Sequence, residues 1–196
     1  MRLLTDYSGR SSLILIPFAE YQIATAGAPS DAEPSLFRRF MRVTAEQLAG
    51  VFGASAVSTG DSLSQAASQT LWNMAVFDAG SEYPVLRPLL GYDKEEIVQL
   101  AKKIGTYEPS IEEYKDCCAI ITRHPKTRVK RELIDSLSEA YHFSDLAKRC
   151  VTLGTLARFD RRSPGPEVTP LLEVIERRKL RVRQPVKGAQ PSFPLD

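Results

Sequence analysis

The sequence predicts an α/β protein built on a doubly wound, mostly parallel sheet, and three observations carry that prediction. Short apolar runs bounded by turn residues recur along the first half of the chain. Each run is followed by a stretch of helical periodicity, and the best helix start and stop signals fall in those stretches. The runs are 12–18 (SLILIPF), 54–59 (ASAVST) and 84–90 (PVLRPLL), lengths suited to strands buried on both faces. After the first, Phe37, Met41, Thr44, Leu48 and Val51 recur three or four apart and stop at Gly53, as one face of a helix does. After the second, Leu63, Ala67, Leu71 and Met74 form another apolar stripe. The third helix is the best punctuated: Asp93 caps its start with Glu96 three residues on, Ile97, Leu100, Ala101 and Ile104 share a face, and Gly105 supplies a left-handed exit. Alternating strands and helices imply right-handed crossovers onto a parallel sheet. Ligands of such sheets bind beyond the carboxyl ends of the strands.

Composition bounds the function classes. The chain has 196 residues, 43% hydrophobic and 26% charged, which suits a soluble protein of one domain with an appendage or two small domains. The run 13–18 is too short to span a bilayer and follows Asp6, so it reads as neither a membrane helix nor a signal peptide. Three cysteines, an odd count with Cys117 and Cys118 adjacent, make a poor disulfide framework and fit free thiols in the reducing cytoplasm. Zinc is poorly served, because Cys150, His124 and His142 lack chelating spacing and adjacent cysteines seldom both ligate one tetrahedral ion. Charge is polarised. Up to Thr122 there are ten Lys/Arg against fifteen Asp/Glu, and from Arg123 onward sixteen against nine. A basic second part suits a polyanionic partner, since Lys and Arg displace phosphate counterions; a solvated basic tail has the same composition.

Chemistry is expected at the strand-to-helix junctions. The second junction reads Ser58-Thr-Gly-Asp-Ser-Leu-Ser-Gln65, where Gly60 lets a ligand approach the backbone and a helix start offers N–H groups to an anion. Asp61 and Ser62 there are also ordinary capping residues. The third junction puts Lys94 in the first helical turn, against the helix dipole, as a phosphate site would require. Cys117 and Cys118 sit between Asp116 and the cations Arg123, His124 and Lys126, surroundings that favour a thiolate. A free cysteine is also commonly just a small buried hydrophobe.

Several stretches together resemble the ATPase domain of the tRNA 4-thiouridine synthetase family. They are Thr59-Gly-Asp-Ser-Leu-Ser-Gln-Ala-Ala-Ser-Gln-Thr-Leu71, Pro84-Val-Leu-Arg-Pro-Leu-Leu-Gly-Tyr-Asp-Lys-Glu-Glu-Ile97, Lys103-Ile-Gly-Thr-Tyr-Glu108, and Asp116-Cys-Cys118 through His124-Pro-Lys-Thr127. Upstream, Phe37-Arg-Arg-Phe-Met41 is similar to the family's Arg-Arg-x-Met helix. The resemblance implies an adenine nucleotide alpha-hydrolase-like fold and a cytoplasmic tRNA sulfurtransferase, in a family also linked to sulfur supply for the thiazole of thiamine. It implies ATP, with Mg2+, as the activator of a tRNA uridine carbonyl oxygen, and a persulfide sulfur, delivered by a cysteine desulfurase, as the group that replaces it. The matching positions are Arg38, Gly60 and Gln69 for nucleotide, with Asp61 beside them, and Lys94 for catalysis. The cysteine that handles persulfide sulfur is Cys118 when counted back from His124-Pro125, and Cys117 when counted forward from Lys94.

Departures from the family pattern shape the expectation. The family's Ser-Gly-Gly-x-Asp-Ser pyrophosphate loop is absent. Ser8-Gly-Arg-Ser-Ser12 lacks the second Gly and the Asp and precedes a strand, so it reads as a turn entering that strand. Ser64 replaces the family's usual Gly, and Asp61 its Glu. The ATPase domain is therefore expected to be incomplete at its N-terminus and to need the missing segments from elsewhere; the alternative is a degenerate, non-catalytic relative serving as a nucleotide-binding, tRNA-binding or assembly module. The expected organisation is 1–128 partial ATPase, 129–160 a helical extension, and 161–196 a basic, Pro-rich tail. Helices are expected over 130–143, with Leu133, Leu137 and Tyr141 on one face, and over 144–153 and 170–180, with a linker at 161–170 between them. An exposed apolar edge or face beside the first strand predicts self-association or a partner chain.

Overall fold

The structure, a computed structural model, describes residues 2–63, 69–112 and 127–182. The long helix around which it is organised follows from the sequence. Pro34 stands in its first turn, where a missing N–H costs nothing, and Gly53 closes it at φ 67°, so that α3 runs Glu33–Phe52. Before it come α1 (Arg2–Ser8), β1 (Arg10–Leu15) and α2 (Ala19–Ala24). After it come β2 (Val57–Ser58), α4 (Leu71–Asp78), β3 (Val85–Leu86), α5 (Lys94–Lys103) and α6 (Tyr107–Ser110). The C-terminal part holds α7 (Arg131–Ala140), α8 (Phe143–Thr152), β4 (Thr155–Asp160), β5 (Glu167–Pro170) and α9 (Leu171–Val182).

The α/β class and its parallel pairing are present in β2 and β3, which pair in parallel with Val57 opposite Val85 and Ser58 opposite Leu86. The first apolar run does not join them. β1 pairs antiparallel with β4, Leu13 opposite Ala157 and Ile14 opposite Leu156, and β4 pairs antiparallel with β5. The reason is local to Gly154. Its Cα lies where a Cβ would meet Ile16 Cδ1 at 2.9 Å, Leu15 O at 3.0 Å and Val151 O at 3.1 Å, so only glycine lets the chain leaving α8 turn this closely onto β1. The stretch expected to be the end of a helical extension and a linker is thus a β-hairpin. Sequence pattern hid it, since β4 (TLARFD) shows little alternation and its partner lies at the other end of the chain.

Two cores flank α3. In the first, Tyr21, Leu36, Phe37, Phe40, Val76, Val129, Ile134, Phe143, Leu146 and Cys150 are buried together. Its aromatic rings meet at centroid distances of 4.8 Å (Tyr21–Phe40), 4.9 Å (Phe18–Phe37) and 5.3 Å (Phe40–Phe143), and each such buried ring contributes roughly 1.5–3 kcal/mol. In the second, Val151, Leu156, Leu171 and Val174 pack with Ile14, Leu48 and Phe52. Residues on both sides of position 128 therefore share one core. α7 presents Leu133, Leu137 and Tyr141 to it, as their spacing predicts.

α5 has the expected capping box, Glu96 N–H on Asp93 Oδ1 and Asp93 N–H on Glu96 Oε2, both 2.8 Å, and Gly105 leaves at φ 74°. Its apolar stripe is less covered than the pattern suggests, for α5 has no buried residue and Ile104 is exposed. α4 also starts later than its stripe predicts. Thr70 is extended and its hydroxyl accepts the Asn73 N–H at 3.2 Å, which begins the helix at Leu71. Ser8-Gly-Arg-Ser-Ser12 is the turn expected of it: Gly9, at φ 73°, links α1 to β1. No helix among the described residues is long and apolar enough to cross a membrane.

Candidate nucleotide site at the carboxyl ends of the parallel strands

Parallel pairing continues past β2 and β3, with Thr59 N–H on Leu86 O at 3.0 Å and Leu63 N–H on Leu90 O at 3.1 Å. The residues that follow the two strands therefore emerge side by side. Asp61 follows β2 and is only 4% exposed; an unpaired carboxylate there would cost several kcal/mol. Its partners remove that cost. Arg38 Nη2 from α3 donates to Oδ1, Arg87 Nε from the end of β3 donates to Oδ2 at 3.1 Å, and the Thr59 hydroxyl donates to the same oxygen at 2.7 Å. Arg87 spends its other two nitrogens on Asp78, the last residue of α4, in two bonds of 2.8 Å, the fork geometry that suits guanidinium and carboxylate. The Arg38 guanidinium also lies 5.3 Å from the centroid of the Phe77 ring. α3, α4 and both strand ends are thereby locked together around a cavity of about 140 Å3 whose walls include Arg38, Met41, Ser58, Asp61 and Arg87.

Of the residues singled out in the sequence, Arg38, Gly60 and Asp61 are brought together here. Gly60 has no positive φ, and among the described residues a Cβ on it would meet nothing within 4 Å. No described residue requires glycine at this position, and the space beside it is open among them. Gln69 lies outside α4, one residue before the Thr70 cap, and not within a helix as its stripe suggests. Its Oε1 is buried and accepts no hydrogen bond among the described residues. Lys94 is exposed at the first position of α5, after β3 and so at the same end of the strand pair by topology. Cys117, Cys118 and their neighbours from Asp116 to Lys126 lie outside the described residues.

The chain that leaves those cysteines is held firmly. The Thr70 hydroxyl donates to Thr127 O at 2.9 Å, Trp72 Nε1–H to Val129 O at 2.8 Å, and Val129 N–H to Asn73 Oδ1 at 3.0 Å. Three bonds to the first turn of α4 thus anchor residues 127–129 directly after Gln69 in space. Cys150, by contrast, is fully buried in the first core, and burial pushes its thiol up from its ordinary value, the state of an inert structural cysteine.

Comparison with known proteins shows the family of the chain. The family model described as thiamine biosynthesis protein (ThiI) matches residues 1–143. The chain belongs to the ThiI family. It is 41% identical over 150 residues to the probable tRNA sulfurtransferase of Lysinibacillus sphaericus (strain C3-41), covering 76% of this chain and 37% of that protein. It also resembles a solved 4-thiouridine synthetase in complex with RNA and with bound ATP, at 33% identity and a TM-score of 0.75, over 81% of this chain and 42% of that one. The ThiI-family chain thus spans about two-fifths of the length of these relatives.

In this ThiI-family chain two site residues escape a reading by motif: Arg87 and Asp78. A signal existed for the first, because an arginine inside the apolar run PVLRPLL must find a buried partner or forfeit its hydration. For Asp78 there was none; an acid at a helix end is ordinary. A nucleotide fits the open side of Gly60; Gln69 Oε1, separately, is an acceptor with no hydrogen bond among the described residues. A magnesium ion does not fit the described residues here, for the carboxylates of Asp61 and Asp78 are both taken by guanidinium groups.

Proposed function

We propose that this chain forms one side of the ATP site and the sulfur-handling segment of a cytoplasmic tRNA uridine sulfurtransferase that makes 4-thiouridine. The observation that carries the reading is the buried Arg38–Asp61–Arg87 cluster, which fixes an arginine beside the open Gly60 turn at the ends of the parallel strands; Gln69 Oε1, buried and without a hydrogen bond among the described residues, adds an acceptor. The donors of an adenine nucleotide, its exocyclic amine and ribose hydroxyls, are what such an acceptor lacks. Arg38 and the Gly60 backbone bind nucleotide in this reading. Asp61 acts through Arg38, holding the guanidinium in one position so that no ordering is needed when phosphate arrives. Lys94 supplies a mobile cation to the charge that develops as the uridine carbonyl oxygen is adenylated. The outer sulfur of a persulfide, donated by a cysteine desulfurase and carried on Cys118 or Cys117, then attacks the activated carbon and displaces AMP, and a second thiol cleaves the S–S bond, leaving the sulfur on the uridine and a disulfide behind. Any magnesium ion would be held through the nucleotide's own phosphates and water rather than by Asp61 or Asp78. The Ser-Gly-Gly-x-Asp-Ser loop that grips pyrophosphate in the family is not among these residues, and a polypeptide carrying it, docked on the β1 sheet, would provide it.

An ATP titration tests the reading. The chain, mixed with a polypeptide that carries the phosphate loop, should bind ATP, and Gln69→Leu should weaken that binding at least tenfold. Lys94→Ala should leave binding within a few-fold and abolish thiolation of tRNA. Failure of the mixture to bind ATP would overturn the proposal, as would Gln69→Leu binding like the parent chain.

A further inference from the structure

Trp72, the one tryptophan of the chain, is 47% exposed although it sits in the first turn of a helix that packs on the core. The half-exposed indole is held in one orientation. Its N–H is fixed to Val129 O at 2.8 Å, and the Arg128 guanidinium lies 4.0 Å from the ring centroid. Indole and guanidinium together form one wall of a cavity of about 430 Å3 between α4 and the start of α7, with Ala75 and Val76 as an apolar floor. Lys130, Arg131 and Glu132 complete its lining, two cations beside Arg128 against one acid. Arg131 is bound to Asp135 at 3.2 Å, whereas Lys130 is exposed and makes no ion pair among the described residues.

A flat aromatic surface with fixed orientation, an apolar floor and cations at the edge is what binds an unpaired base: the π-face is tolerant of sequence, and the neighbouring phosphate needs a cation. A duplex presents no free base face to such a platform. We propose that this cavity binds an unpaired nucleotide of an RNA strand, its base stacked on the Trp72–Arg128 pair and its phosphate met by Lys130. The proposal rests on the reading of the chain as part of a tRNA-modifying enzyme, and it adds a place where the RNA is gripped apart from the nucleotide site. Because residues 127–129 lead directly from the cysteine segment and are pinned to the same turn of α4, RNA held here lies at the root of that segment.

Trp72 reports on its own occupancy. Intrinsic fluorescence of the full chain, titrated with a short oligouridine, should be quenched to saturation, and the same strand in an RNA duplex should quench several-fold more weakly. With a labelled oligouridine, Trp72→Ala should weaken binding about tenfold or more and Trp72→Phe should recover most of the loss. Lys130→Gln should lower the slope of log affinity against log salt by about one. Should Trp72→Ala lose its cooperative melt, Arg128→Gln, which leaves the indole and its hydrogen bond in place, should still weaken binding about fivefold or more. ATP affinity should be the same in all four variants. Equal quenching by strand and duplex, or oligouridine affinity unchanged in both Arg128→Gln and Lys130→Gln, would overturn the inference. ATP binding that persists in that event keeps the proposed function and removes this site alone.

Discussion

Arg87 Nε lies 3.1 Å from Asp61 Oδ2, and this bond ties the end of β3 to the end of β2 where the parallel pair opens. Arg87 is 12% exposed and Asp61 5% exposed at the side chain, so neither can exchange its partner for water.

Removing the carboxylate alone should therefore be expensive. Asp61→Asn leaves Arg38 and Arg87 facing each other without an anion, and we expect a loss of about 3 kcal/mol, the order seen when one partner of a buried ion pair is deleted. Urea unfolding measures it. Arg10→Ala, which breaks the pair to Asp160 with Arg10 84% exposed, should cost far less, since water replaces an exposed partner. Similar costs for the two would mean that the Asp61 cluster is solvated.

Two glycines should respond in opposite ways. Gly60→Ala adds a methyl to open space at an ordinary φ, so stability should stay within about 0.5 kcal/mol while ATP affinity in the complemented mixture falls. Gly154→Ala forces a contact of 2.9 Å with Ile16 and 3.0 Å with Leu15 O, so it should destabilise by about 1–3 kcal/mol without altering the affinity of the molecules that fold. Thermal melts and ATP titrations on both variants separate the roles.

Asn73 is wholly buried, and its Oδ1 takes the Val129 N–H at 3.0 Å. Asn73→Ala should cost about 1–3 kcal/mol by orphaning that donor. Amide exchange of residues 127–129 should quicken by more than the global loss of stability explains, since the anchor of this segment is what is cut. Exchange that changes in step with global stability would show the bond to be ordinary packing.

Alkali should destabilise the fold through Cys150 and then Tyr21. Burial raises both groups from ordinary values of 9.0 and 10.0. As pH rises past those values the unfolded chain sheds protons that the folded chain retains, so the unfolded state binds fewer and stability falls with pH. More than about one unit below the ordinary thiol value neither group contributes a slope. Urea midpoints from pH 7 to 10 should be flat and then fall, with a shallower first fall in Cys150→Ala.

Local chemistry wrote much of this protein in its sequence. The Asp93–Glu96 box, the Gly53 and Gly105 exits, the β2 and β3 runs and the α7 face are short-range patterns of capping, left-handed turns and periodicity, and each formed as its residues require. The family was legible too, through motifs in order over the first two-thirds of the chain. What tertiary structure decided were the long-range pairings. β1 chose β4 at the far end of the chain, and α8, read as an appendage, closed the main core. Gln69 left the helix its stripe assigned it because the Thr70 hydroxyl stopped the helix first. At the site, Gly60 and Arg38 could be named from motif, but the ionic bracket of Arg87 and Asp78 could not. Sequence spacing determines which residues share a helix face; which buried charge meets which is decided only when separate elements pack and desolvation makes each ion depend on the opposite charges brought beside it.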